Sequence, residues 1–122
     1  LRVSPRDYRD TIGPMFDQGM SALLDDLASD GALESVLVVA TGEIGRAPMM
    51  NATGGRDHWN RCWPALVAGA RTTPGQVIGQ TDERGGEPID RPVPCEELFA
   101  LMANHLGFDH ADRANPLIEL RG

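Results

Sequence analysis

Val36-Leu37-Val38-Val39-Ala40, followed at once by Thr41-Gly42-Glu43-Ile44-Gly45-Arg46, is the stretch on which the fold turns. A near-continuous aliphatic and β-branched run reads as a strand buried on both faces, the kind found in parallel sheets. In open α/β sheets, ligands gather just beyond the carboxyl ends of such strands. Glu43 stands at that point, and Gly54-Gly55-Arg56-Asp57-His58-Trp59 follows one loop later. Three potential metal donors, Glu43, Asp57 and His58, therefore fall on one strand-end rim.

Upstream of the strand the pattern is helical from Pro14. Phe16, Met20, Leu23, Leu24 and Leu27 recur at i, i+4, i+7, i+8 and i+11, one face of a helix. Pro14 suits a first helical position, and Gly31 stands where a left-handed cap is expected. Asp17, Asp25, Asp26 and Asp30 read as its solvated side. Residues 1–13, broken by Pro5 and Gly13, read as an irregular lead-in.

Downstream, residues 41–60 are rich in glycine (Gly42, Gly45, Gly54, Gly55) and read as a functional or structural loop. Residues 63–68 are apolar and short enough for a strand. Thr72-Thr73-Pro74-Gly75 signals a turn, and Gln76-Val77-Ile78-Gly79 alternates like a partly exposed strand, so the two segments suggest a hairpin. A polar loop over residues 81–91 follows. A second helix is expected near Pro94, with Glu96 and Glu97 complementing the dipole of its first turn. Its apolar face carries Leu98, Met102, His105 and Leu106, with His105 read as a core histidine, and Gly107 supplies the stop. His110 is expected to face solvent.

The chain has 122 residues, 41% hydrophobic and 24% charged, ordinary values for a globular protein. This is one domain or part of one, and the start at Leu1 suggests a processed product or a fragment. A formal net charge of −7 argues against a general nucleic-acid surface or an anionic-membrane surface. All eleven basic residues are arginine. Beside the acidic turn, Arg46 and Arg56 are candidates for oxyanion recognition, since arginine grips planar oxyanions through two donors. Cys62 and Cys95 are too few for a zinc knuckle or a disulfide framework.

Adjacent side chains point to opposite faces on a strand and diverge by about 100° on a helix. Asp57 and His58 can thus hold one ion only from a loop backbone, and Gly54-Gly55 supplies that freedom. An aspartate oxygen with a histidine nitrogen suits zinc or another borderline metal better than calcium. Two readings stand for the pair: a metal site, or an exposed loop dipeptide with no ligand. Glu43 likewise reads as a functional carboxylate, or as a partner of Arg46 or a helix cap. Trp59 and Trp63 are expected to pack under the loop, and Asp82 and Glu83 to lie in a solvated one.

Thr41-Gly42-Glu43-Ile44-Gly45-Arg46-Ala47-Pro48 resembles the "GEFGRTP" signature of the bacterial domain-of-unknown-function family 1501. Gly54-Gly55-Arg56-Asp57-His58-Trp59 is similar to its "GRDHW", residues 75–82 to its "GGQVIGATD", and Asp90-Arg91-Pro92-Val93 to its "DRPV". The resemblance runs over residues 15–109 with the motifs in order. That family resembles the alkaline phosphatase and sulfatase superfamily, whose members hydrolyse phosphate or sulfate esters with metal-bound nucleophiles.

The resemblance implies the C-terminal part of a three-layer α/β/α fold with a mostly parallel sheet, residues 1–122 forming a single partial domain. It implies Asp57, His58 and Glu43 as ligands of a divalent metal (zinc, manganese or calcium), and Arg46 or Arg56 as contacts for a small ester substrate. The nucleophile would belong to an N-terminal half of the same domain, the expected partner, without which this chain is inactive. Family members also suggest an exported or periplasmic parent. One departure stands out: the superfamily often has a histidine four residues after the strand-end acid, and here position 47 is alanine. That favours the alternative of an exported, non-catalytic binding or scaffold protein.

Overall fold

The computed structural model describes residues 4–108 and Leu120. In chain order its elements are a helical turn α1 (Pro5–Asp7), a π-helical turn (Tyr8–Ile12), α2 (Gly13–Ser29) and a 3-10 turn (Ala32–Glu34). Then come β1 (Leu37–Thr41), β2 (Gly45–Arg46), β3 (His58–Trp59), β4 (Ala65–Gly69), β5 (Gln80–Thr81), β6 (Pro88–Asp90) and α3 (Cys95–His105). The chain is mixed α and β.

The lead-in expected to be irregular is helical. Ser4 caps α1, its hydroxyl accepting from Asp7 N–H while the Asp7 carboxylate returns to Ser4 N–H. Helical hydrogen bonding then continues to Ser29 through the π turn, where Gly13 N–H donates to Tyr8 O, five residues back. Pro14 explains the slip: it has no N–H to continue the regular i→i−4 ladder. Pro5 and Gly13 thus punctuate a helix rather than exclude one. As expected from the sequence, α2 ends before Gly31, which adopts the left-handed conformation at φ 71°.

The aliphatic run does form a strand, but its partner runs the other way. β1 pairs antiparallel with β4, from Leu37 opposite Gly69 to Thr41 opposite Ala65. Leu37 to Ala40 are half-buried. An apolar run reports burial and not the direction of its neighbour, so the parallel expectation does not describe this pairing. Among the described residues the ladders β1–β4, β2–β3 and β5–β6 are each two-stranded and antiparallel.

The hairpin expected between residues 63–68 and 76–79 does not form. The first segment supplies β4, whereas Val77 is 93% exposed and lies in no strand among the described residues. The hairpin lies later, between β5 and β6, inside the stretch read as a polar loop. Its turn is tied by Asp82, whose Oδ1 accepts from Arg84 N–H at 3.1 Å and Gly86 N–H at 2.7 Å.

α3 begins after Pro94 with Glu96 and Glu97 in its first turn, as expected. Arg91 Nη1 and Nη2 grip the two oxygens of Glu97 at 3.1 and 2.8 Å, fastening the helix start. Ala100, Leu101 and Ala103 are the buried apolar side chains among the described residues. The buried face is therefore rotated from the one expected: Leu98 and Met102 are half-buried, and His105 and Leu106 are exposed. His105 is not a core histidine. Small residues at 100 and 103 allow close packing, which the ranking of large apolar positions overlooked. His110 lies outside the described residues. Among those residues, no helix is long and apolar enough to cross a membrane.

Candidate functional site

The excursion between β1 and β4 builds the rim. Thr41 ends β1, and its hydroxyl donates to Pro64 O at 3.2 Å, closing the base of the excursion. β2 and β3 form a short ladder inside it, Gly45 opposite Trp59 and Arg46 opposite His58. Ala47 N–H donates to Asp57 O at 2.8 Å, extending the pairing by one step.

Gly45 makes this ladder possible. A Cβ at this buried position would overlap Cys62 O and come within 2.5 Å of Trp59 O. Of the two glycines that flank Glu43, Gly45 is the one at a close backbone approach. Gly42, by contrast, has nothing nearer than Ile44 O at 3.7 Å.

Residues directly opposite across an antiparallel pair present their side chains on one face. Arg46 and His58 are such a pair, and Glu43 joins them. Glu43 Oε1 is 2.6 Å from Arg46 Nη2 and 3.8 Å from His58 Nε2. The Glu43 and His58 side chains are 67% and 65% exposed, so solvent and solutes reach both. Exposed pairs of this kind contribute roughly 0–1 kcal/mol. The Glu43–Arg46 bond therefore orders the rim without committing either group.

Asp57 and Arg56 face other partners. Asp57 Oδ1 accepts from Asn51 Nδ2 at 2.7 Å. Arg56 Nη1 donates to Ala47 O at 2.7 Å and also to Pro48 O, bracing the loop between β2 and β3. So the structure brings Glu43, Arg46 and His58 together, with Asp57 and Arg56 held along the adjoining loop. Among the described residues, no group of three or more His, Cys, Asp or Glu is placed to hold a metal ion.

Behind the rim the β5–β6 turn docks on β3. Trp59 Nε1 donates to Gly86 O at 2.7 Å, Cys62 Sγ to Gly85 O at 3.3 Å, and Arg61 Nε to Glu87 Oε1 at 2.9 Å. Trp59 thus packs against the loop as expected, and Trp63 is 37% exposed. Burial pushes the Cys62 thiol up from its ordinary range, aided by the carboxylates of Asp82 and Glu87. Asp82 is held below the usual carboxylate value, first by Gly86 N–H and then by the other backbone donors of its turn. Asp82 is a turn-former.

Sequence reasoning missed Asn51. Its Oδ1 accepts from Thr53 N–H, Thr53 Oγ1 and Gly55 N–H, at 3.1, 2.8 and 3.0 Å, while its amide holds Asp57. An asparagine three and four residues before paired glycines is a recognised turn-former, and that signal was legible.

Fold and rim together define a mixed α/β chain with a solvent-facing carboxylate, guanidinium and imidazole at the end of a strand. More particularly, the chain belongs to the family described as "Protein of unknown function (DUF1501)", which it matches over residues 5–119. No curated protein and no solved structure matches it.

Proposed function

We propose that this chain is the C-terminal portion of a metal-dependent ester hydrolase of the alkaline phosphatase and sulfatase kind. Glu43, Asp57 and His58 are its contribution to a divalent-metal site, and Arg46 and Arg56 are its contribution to oxyanion binding. The observation that carries this reading is the convergence of Glu43, Arg46 and His58 just past the carboxyl end of β1.

The donor chemistry fits such an ion: carboxylate oxygens with an imidazole nitrogen make up many zinc and manganese sites. The described residues supply too few clustered donors for a complete site, so on this reading further ligands would come from elsewhere in the protein. The three-layer fold with a mostly parallel sheet belongs to the same proposal. β1 and β4 each keep one edge unpaired among the described residues, and Met15 and Phe16 of α2 are 68% and 52% exposed. An added N-terminal half would cover these surfaces.

When bound, the metal would activate a nucleophile and stabilise the leaving oxyanion. His58 would offer the lone pair of Nε2, and Glu43 would exchange its weak bond to Arg46 for the ion. Arg46, released or half-released, would turn its remaining N–H donors toward the ester's oxygens. Arg56 has Nε and Nη2 without partners among the described residues and can add to this. The second reading, an exported scaffold without catalysis, is favoured by Ala47 and by the existing Glu43–Arg46 bond.

The test is hydrolysis of p-nitrophenyl phosphate and p-nitrophenyl sulfate by the complete polypeptide, with zinc, manganese or calcium supplied. Turnover that collapses in Glu43→Ala and His58→Ala supports the hydrolase. Absence of turnover with every ion and both esters favours the scaffold.

A further inference from the structure

Two arginines stand at the rim, and the structure treats them differently. Arg46 gives Nη2 to Glu43 Oε1 at 2.6 Å, so a carboxylate already answers its charge. Arg56 gives Nη1 to two backbone carbonyls instead, Ala47 O at 2.7 Å and Pro48 O. Carbonyls carry no net charge, so this guanidinium is anchored without being neutralised.

The anchor is stiff. Ala47 N–H donates to Asp57 O and Asn51 N–H to Gly55 O, each at 2.8 Å, so the loop is cross-tied on both sides of Arg56. Pro48 Cγ lies against the β5–β6 turn, 3.3 Å from where a Cβ on Gly86 would stand. Asp57 takes the step of the ladder next to His58, and alternation along that extended backbone returns Arg56 to the side of Arg46 and His58.

A guanidinium is a rigid fork of five N–H donors. With Nη1 engaged, the edge formed by Nε–H and one Nη2 N–H stays open: Arg56 is exposed, and neither nitrogen has a partner among the described residues. Two parallel donors of this kind meet two oxygens of a phosphate or carboxylate side by side. Anchoring the far end also reduces the side-chain freedom that an exposed arginine loses on binding.

We propose that Arg56 is the residue that grips the oxyanion at this rim, holding two oxygens of a phosphate or sulfate group through Nε and Nη2, and that the grip forms without a metal ion. The inference deepens the reading of the rim given above, resting on its oxyanion site and not on its metal. Arg46 is secondary, because an anion must compete with Glu43 for it. Arg46 and His58 on the same side can meet the remaining oxygens of a tetrahedral group, which a carboxylate lacks.

The experiment uses the complete polypeptide, stripped of metal with a chelator and titrated calorimetrically with inorganic phosphate, sulfate and acetate. The variants are Arg56→Ala, Arg56→Lys and Arg46→Ala. Expected are saturable binding of phosphate or sulfate by the parent, weaker binding of acetate, and a loss of about 10- to 100-fold in Arg56→Ala, the size of a charge-assisted hydrogen-bonded contact. Arg56→Lys keeps the charge without the paired donors and should not restore binding, while Arg46→Ala should lose less than Arg56→Ala. Should Arg56→Ala not fold, the parent decides: in protein labelled with nitrogen-15 arginine, the Arg56 Nε–H resonance should move on phosphate addition, which a mere loop brace would not show. An unmoved Arg56 resonance, parental affinity in Arg56→Lys, or a greater loss in Arg46→Ala would overturn the inference. So would acetate bound as tightly as phosphate, or a metal-free parent that binds neither phosphate nor sulfate. Metal content of the parent is read separately, so the failure of the grip and the failure of the metal reading are told apart.

Discussion

Replacing Gly45 with alanine tests whether the β2–β3 ladder holds the rim as described. The added methyl meets backbone on two sides, overlapping Cys62 O and approaching Trp59 O to 2.5 Å. An ordinary contact begins at 3.4 Å, so Trp59 O alone must retreat by about 0.9 Å. Neither oxygen belongs to a flexible side chain that could swing aside. The cost should reach the upper end of the 1–3 kcal/mol usual for overpacking, about 3 kcal/mol, and lower the thermal midpoint by roughly 10 °C. Because Arg46 pairs opposite His58 one step further on, the same shift should pull the rim apart. The assay is thermal and urea unfolding followed by circular dichroism, with Gly19→Ala as the control. Gly19 lies in α2 with nothing within 4 Å of its added carbon. There alanine should stabilise by about 0.5–1 kcal/mol. A Gly45→Ala loss below about 0.5 kcal/mol, the size of an ordinary surface substitution, would refute the close approach and the ladder built on it.

Two further outcomes follow from the same geometry. Trp59→Phe leaves the buried carbonyl of Gly86 without its indole donor and should cost about 1–3 kcal/mol in urea unfolding; a change near zero would mean that the β5–β6 turn does not dock through this bond. Asp82 is held below its ordinary value of 3.8, so its contribution is complete above that pH and is lost as pH falls through the lower folded value. Asp82→Asn should flatten the acid limb of stability below pH 3.8, read from unfolding midpoints across pH, and an unchanged limb would contradict the assigned turn bonds.

The elements legible in the sequence were those whose signal is local. Periodic Phe16, Met20, Leu23 and Leu27 marked α2, Gly31 marked its end, and Pro94 with Glu96 and Glu97 marked the start of α3. Pairing was not legible, because the apolar runs at β1 and β4 say that each is a strand without saying which edge meets which. The expected strand at residues 76–79 failed for the same reason, since alternation there found no partner strand among the described residues and Val77 stayed in solvent. His105 was misread because the buried side of α3 is carried by Leu101 together with Ala100 and Ala103, and the two alanines are too small to register as part of an apolar stripe.

At the rim, the Glu43–Arg46 pairing could be read from spacing. The meeting of Glu43 with His58 could not, because it depends on the register of β2 against β3. Family motifs pointed to the same residues without giving their geometry. They named Asp57 and His58 as one unit, where the structure fixes one from a strand and the other from the Asn51 turn.

The most direct test of the central proposal is metal content of the complete polypeptide by elemental mass spectrometry, beside its Asp57→Ala/His58→Ala double variant. The account predicts about one or two equivalents of zinc, manganese or calcium in the parent and a clear fall in the double variant. A parent that retains none of these ions after dialysis against each of them would contradict it.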